Sequence, residues 1–180
     1  MQPHQDPEVT CLISSDELAR RIAELARQIS ADYDGKQPVV VGVLKGAWVF
    51  LADLVRQLTL PVRCDFVKVS SYGLGTSTSG EVRLQLDLTI PAEGQHLLLV
   101  EDIIDTGTTT SWLLEHLHRK KPASIKVCAL LDNRARRRTP VTIDYLGFPI
   151  PDRFVVGYGI DYAERYRQLP FVGCLTGNEP

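Results

Sequence analysis

The chain has little cysteine, and what it has is not arranged to be paired. Cys11, Cys64, Cys128 and Cys174 lie far apart and form no CxxC. That spacing argues against a disulfide-stapled framework and a cysteine zinc module. It reads as reduced thiols in a cytoplasmic protein, three of them in apolar strands. No apolar run approaches the ~20 residues that span a bilayer, and the N-terminal stretch lacks the basic-then-apolar order of an export signal. Neither sign of charge dominates: 20 Lys+Arg against 22 Asp+Glu give a net charge of −2, which argues against non-specific nucleic-acid binding. His116 and His118 stand two apart on a predicted helix, on different faces, so they make no metal pair. There is no internal repeat, low-complexity tract or linker. With 180 residues, 44% apolar and 23% charged, the expectation is one soluble domain with a sizeable core.

The most informative stretch runs from Leu97 to Thr110. Leu97, Leu98, Leu99 and Val100 are apolar without alternation, as in a central parallel strand covered on both faces. Glu101 and Asp102 follow, then two isoleucines, Asp105, and Gly107 set among Thr106, Thr108, Thr109 and Thr110. A helix carrying Trp112, Leu113, Leu114 and Leu117 then begins. Strand, acidic edge, small-residue turn and helix start form the layout of a phosphate site in an open α/β sheet. Free N–H groups at a helix start converge on an anion, glycine permits close approach, and threonines add hydroxyl donors. The turn has no lysine, so it is not a Walker loop. Adjacent acids beside a phosphate site repel the ligand unless they face hydroxyls or a divalent cation. Asp105 alone would read as an ordinary N-cap. Three acids, one glycine and four threonines within ten residues read as a site.

Residues 1–13 read as a loose arm. Ser14 and Glu17 form a capping box ahead of a helix with Leu18, Ile22, Leu25 and Ile29 on one side, ending at Asp34–Gly35. Val39 to Leu44 is a core strand. Lys45–Gly46 follows, then a helix carrying Trp48, Phe50, Leu51, Leu54 and Leu58. By spacing alone Lys45 is a solvated lysine at a tight turn. Val62 to Ser71 is a strand, and Val82 to Leu88, alternating apolar and polar, is the strand that returns from a loop. Between them, Tyr72 to Gly80 holds three glycines and four Ser/Thr, the composition of a flexible loop or lid. Ile125 to Leu131 and Val141 to Leu146 are further strands. Arg134, Arg136, Arg137 and Arg138 read as a solvated basic face. Residues 171–175 add a terminal strand. Strands and helices alternate, which predicts a mainly parallel α/β sheet flanked by helices.

The Glu101–Thr110 run closely resembles the signature of purine phosphoribosyltransferases of the hypoxanthine-guanine type, and the resemblance extends over residues 10–175. It implies the type I phosphoribosyltransferase fold, with a small hood built from both chain ends and residues 141–162, and a flexible active-site loop. It implies that Thr106 to Thr110 hold a 5′-phosphate and that Glu101 and Asp102 face ribose hydroxyls and Mg²⁺. Lys45 and Gly46, after a cis peptide, and Arg167 match pyrophosphate contacts. Ser71 and Tyr72 match the mobile catalytic loop. Asp105 matches the base at purine N7, Phe154 the stacking aromatic, Val155 the backbone reader of the base, and Asp161 a metal and base ligand. At Asn133 this sequence departs from the family, which places there a lysine that donates to the purine 6-oxygen.

The implied reaction joins hypoxanthine or guanine to phosphoribosyl pyrophosphate, giving IMP or GMP and pyrophosphate, in a cytoplasmic homodimer or homotetramer with no nucleic-acid or membrane partner. A non-catalytic sensor of phosphoribosyl pyrophosphate on the same fold, and a transferase preferring another purine, are the alternatives.

Overall fold

The computed structural model describes residues 8–72 and 81–176. Its frame is a six-stranded sheet in the order β4-β3-β2-β5-β6-β7. In chain order these are β2 (Val39–Leu44), β3 (Arg63–Tyr72), β4 (Glu81–Leu86), β5 (His96–Ile104), β6 (Ser124–Asp132) and β7 (Tyr145–Pro149). All neighbours pair in parallel except β4, which runs antiparallel to β3 at one edge. The unalternating apolar strands have the predicted cause. Val40, Leu98, Val100 and Leu130 face one layer with Leu18, Ile22, Leu25 and Ile29 of α1 (Ser15–Asp32) and Phe50, Leu51 and Leu54 of α2 (Trp48–Val55). Val39, Val41, Leu97 and Leu99 face the other, against Leu113 and Leu117 of α3 (Thr108–His118). Every one of these side chains is buried, so water is excluded from both faces of the central strands.

Local signals set the helix boundaries. Ser14 accepts from the Glu17 N–H, and the Glu17 carboxylate accepts from the Ser14 N–H at 2.9 Å, which satisfies the first turn of α1. Arg21 on α1 donates to the carbonyls of Leu146 at 2.7 Å and Gly147 at 3.1 Å, occupying acceptors of the edge strand β7. α2 stops at Val55, and Leu58 reaches the core from the following turn. No described helix is long and apolar enough to cross a membrane.

Residues 8–13, expected to be a loose arm, form strand β1 (Glu8–Ile13) instead. β1 pairs antiparallel with β9 (Val172–Thr176), which pairs with β8 (Val155–Val156), giving a separate three-stranded hood. Only Ile13 of β1 is buried, so the arm carried little periodicity, and its hydrogen-bonding partner lies at the far end of the chain. The hood draws on both chain ends and on residues 155–156, as expected, whereas β7 belongs to the main sheet. β7 also begins at Tyr145 rather than Val141. Val141 and Ile143 pack on a small cluster with Ile104, Val127 and Ala129, but the Asp144 carboxylate takes the Val127 N–H at 2.8 Å in place of a regular ladder. Tyr72, assigned to the loop, ends β3, and the rest of the expected lid, residues 73–80, lies outside the described residues. Ser71 and Tyr72 are placed on β3 by register, opposite Val82 and Glu81.

Candidate active site

The site lies at the carboxyl ends of β2, β3 and β5, in a cavity of about 240 Å³ lined by Glu101, Asp102, Asp105, Thr106, Gly107, Thr109 and Thr110, with Val43, Leu44, Ile103 and Val69 as its apolar wall. β5 continues through the acidic pair to Ile104, so the pleat sends Glu101 and Asp102 to opposite faces. Glu101 is buried and accepts from the Thr110 hydroxyl at 3.1 Å. Burial first, then the Asp102 charge, pushes its carboxyl up to about 8 against that hydrogen bond. Burial pushes Asp102 up to about 6, while the N–H of Ile103 and the field of Arg167 pull it down. Two carboxylates held this far above their ordinary range are poised for hydroxyl donors or a hard cation.

Gly107 is the N-cap of α3 at φ +80, a backbone conformation that suits glycine. Gly107 has no side chain to cap the helix; the Thr108 N–H donates to the Thr106 hydroxyl at 3.4 Å, and the N–H groups that follow are open to a ligand. A side chain on Gly107 would meet the Thr139 carbonyl and approach Arg137 Cδ to 2.9 Å. The turn is held from behind, since the N–H groups of Arg138 and Thr139 both donate to the Thr106 carbonyl at 2.9 Å. Thr108 faces Thr106 and Thr139 rather than lining the cavity. Asp105 lies before the helix cap: its Oδ2 is 3.4 Å from Arg136 and its Oδ1 is buried without a hydrogen-bond partner.

A second group of residues closes the other side. The Leu44–Lys45 peptide is cis. A side chain on Gly46 would overlap the Asp102 carboxylate, and one on Gly159 (φ +101) would overlap the Gly46 carbonyl. Asp102, the Lys45–Gly46 turn and the 159–167 segment are thus stacked in direct contact. Arg167 is tied there: one terminal nitrogen donates to the Gly159 carbonyl at 2.7 Å, and the other pairs with Asp161 Oδ1 at 2.7 Å. Lys45 pairs with Glu164 at 2.8 Å. Among the described residues, no three His, Cys, Asp or Glu side chains form a group that would hold a metal. Glu101, Asp102 and Asp161 are therefore not a ready cage, and Asp161 is engaged by Arg167 and by the Glu164 N–H at 2.8 Å. The oxygen donors of Glu101 and Asp102 suit a hard cation that keeps most of its shell from water and substrate.

The remaining candidate residues lie on the hood and at the end of β6. Phe154 is exposed, with its ring 5.5 Å from Tyr162 in an edge-on arrangement. Val155 is buried in β8. Asn133 is 1% exposed, its Oδ1 has no partner, and its N–H donates to the Ile104 carbonyl at 3.0 Å. Arg134, Arg136 and Arg138 of the basic run are exposed, as expected, and Arg137 is not. Arg137 turns inward to the Asp132 carboxylate, itself 1% exposed, and donates to the carbonyls of Ile104 and Asp105, each at 3.0 Å. Arg136 joins Asp105 to Asp152. A carboxylate at the end of a fully apolar strand needs a buried cation, and Asp132 was the signal that one of these arginines is internal. Glu164 carried no such signal.

A family model described as "Phosphoribosyl transferase domain" matches residues 13–163. A hypoxanthine phosphoribosyltransferase of Haemophilus influenzae is 49% identical over 174 residues, covering 95% of this chain and 97% of that protein. The bifunctional protein TilS/HprT of Listeria innocua is 50% identical over 164 residues, and there the match spans only 25% of the longer protein. Among solved structures, a Bacillus anthracis hypoxanthine-guanine phosphoribosyltransferase superposes with a TM-score of 0.89 at 45% identity, covering 95% of this chain and 100% of that one. Together with the fold, these matches place the chain in the phosphoribosyltransferase family, with the hypoxanthine phosphoribosyltransferases.

Proposed function

We propose that the protein transfers the 5-phosphoribosyl group from phosphoribosyl pyrophosphate to a 6-oxopurine, hypoxanthine and also guanine, releasing pyrophosphate. The observation that carries this reading is the contact sequence across one small cavity. An uncapped helix start at Gly107, an acid pair with raised proton affinity, and a glycine-lined turn bearing Lys45 adjoin one another. They match a phosphate, a pair of ribose hydroxyls and a pyrophosphate on consecutive parts of one substrate. In the reaction the purine N9 bonds to ribose C1′ as the C1′–O bond to pyrophosphate breaks.

Positive charge develops on the ribosyl centre, and negative charge on the leaving oxygens. Glu101 and Asp102 lie on the ribose side, while Lys45 and Arg167 stabilise the departing polyanion. Asp105, whose Oδ1 has no donor, takes the proton that purine N7 releases. Phe154 stacks on the ring, and Val155 and Asn133 line its edge. Glu101 and Asp102, with Asp161 as a further candidate, would hold Mg²⁺, which would supply charge neutralisation to the pyrophosphate. The same reading carries a cytoplasmic homo-oligomer, and the half-exposed Trp48 on α2 is the kind of apolar surface that a second copy covers.

A panel of hypoxanthine, guanine, xanthine and adenine at fixed phosphoribosyl pyrophosphate and Mg²⁺ tests the reading. Turnover of the oxopurines is expected, with a fall of about 10²–10⁴-fold in Asp105→Asn. Phosphoribosyl pyrophosphate binding without turnover of any base would make the protein a sensor instead.

A further inference from the structure

We propose that Glu164 is a built-in counter-anion: its carboxylate occupies the Lys45–Arg167 cation pair in the free protein and must be displaced by the leaving-group end of the substrate. The proposal rests on the assignment of Lys45 and Arg167 to pyrophosphate. A single oxygen, Glu164 Oε2, lies 2.8 Å from Lys45 Nζ and 3.5 Å from Arg167 Nη2. One carboxylate thus bridges two cations that come from separate parts of the fold, as a phosphate oxygen would.

The backbone does not account for a glutamate here. Tyr162 and Arg165 exchange backbone hydrogen bonds of 3.1 and 3.0 Å, and the two residues between them, Ala163 and Glu164, have φ of 51 and 64. That is a two-residue turn of the kind that favours Gly, Asn or Asp. What the side chain reaches, rather than local preference, explains its place. Asp161 fixes the turn to the same arginine, taking the Glu164 N–H through one oxygen and Arg167 through the other.

The contact is also built to open. The Lys45 and Glu164 side chains are 51% and 66% exposed, so both re-enter water without burying an unpaired charge. Arg167 keeps Asp161 when Glu164 leaves. A pyrophosphate carries more charge than one carboxylate and displaces it, at a loss of affinity relative to bare cations. Glu164 therefore tunes how long the product polyanion is held.

Calorimetric titration of the full chain with inorganic pyrophosphate and Mg²⁺ tests this in wild type, Glu164→Gln, Lys45→Ala and the double variant. Glu164→Gln is expected to tighten pyrophosphate by roughly two- to fivefold, the range of an exposed ion pair, and to strengthen product inhibition equally. In the Lys45→Ala background most of that gain is lost. Unchanged or weaker binding in Glu164→Gln, with Lys45→Ala still weakening pyrophosphate, overturns the proposal and leaves the assignment of Lys45 intact. Wild-type affinity in Lys45→Ala would remove that assignment and the proposal with it.

Discussion

Gly46→Ala is the most local perturbation of the site. A Cβ at residue 46 would overlap Oδ2 of Asp102, and even the farther oxygen, Oδ1, lies only 3.0 Å from it. Ordinary contact needs about 3.5 Å, so the carboxylate must retreat by roughly 1–2 Å. The backbone of Asp102 is fixed in β5, and the carbonyl of Gly46 is already packed on Gly159, so the side chain absorbs the clash. Overpacking of this kind costs about 1–3 kcal/mol, which at about 2–4 °C per kcal/mol lowers Tm by several degrees. Displacing a positioned group by an ångström costs about 10²-fold in rate. The larger loss is therefore expected in kcat/KM. Gly94→Ala is the control, because Gly94 has no atom within 4 Å of an added Cβ and, unlike Gly46, has positive φ (+70). It should cost about 1–2 kcal/mol of backbone strain with activity retained. Steady-state kinetics and thermal melts of both variants decide the matter. A Gly46→Ala protein with wild-type Tm and kcat/KM would show that Asp102 does not depend on this close approach.

Three further outcomes are expected. Glu101 is pushed up to about 8 in the fold, so the free protein binds an extra proton. Its contribution to stability is full below the unfolded carboxylate range and is lost as pH rises through 8, at up to about 1.4 kcal/mol per pH unit. Glu101→Gln should flatten that slope in urea titrations, and parallel profiles for the two proteins would refute the assignment. Arg137→Ala leaves the buried Asp132 carboxylate with only Arg134 and should cost about 3–5 kcal/mol; a loss below about 1 kcal/mol in chemical denaturation would show that Arg134 suffices. Asn133→Lys replaces a neutral donor with a charged one, a gain of about 1 kcal/mol, or roughly fivefold, in KM for hypoxanthine and guanine. It should also sharpen rejection of adenine, and unchanged KM values together with unchanged adenine discrimination would assign the reading of the 6-oxygen to another group.

The parts legible in the sequence are those in which neighbours along the chain are also neighbours in space. Leu97 to Thr110 contains its strand, its acids, its turn and its helix start within one stretch, so pattern and function coincide there. The Ser14–Glu17 cap was legible for the same reason. β1 was not, because what makes Glu8–Ile13 a strand is Val172–Thr176, and six residues with one buried side chain announce nothing alone. Arg137 was hidden in a run of like charges: the residues on either side of it reach solvent, and only the three-dimensional approach of Asp132 distinguishes it. Val141 to Asp144 had the alternation of a strand, and the Asp144 side chain took the bond that would have extended the ladder. Glu164 was missed because its partner Lys45 stands on another element, with no periodicity linking them.

The hood also fixes an order of events during synthesis. Thr10 pairs with Cys174 and Glu8 with Thr176, so β1 finds its partner only once β9 has been made. By then β2, β5, β6 and α3 have been available to pack, with the Gly107 turn between β5 and α3. β8, which carries Val155, borders β9 rather than the main sheet, so the three-stranded hood is completed only with β9. On the roles proposed for these residues, a chain not yet extended to β9 would hold an anion before it could hold a purine.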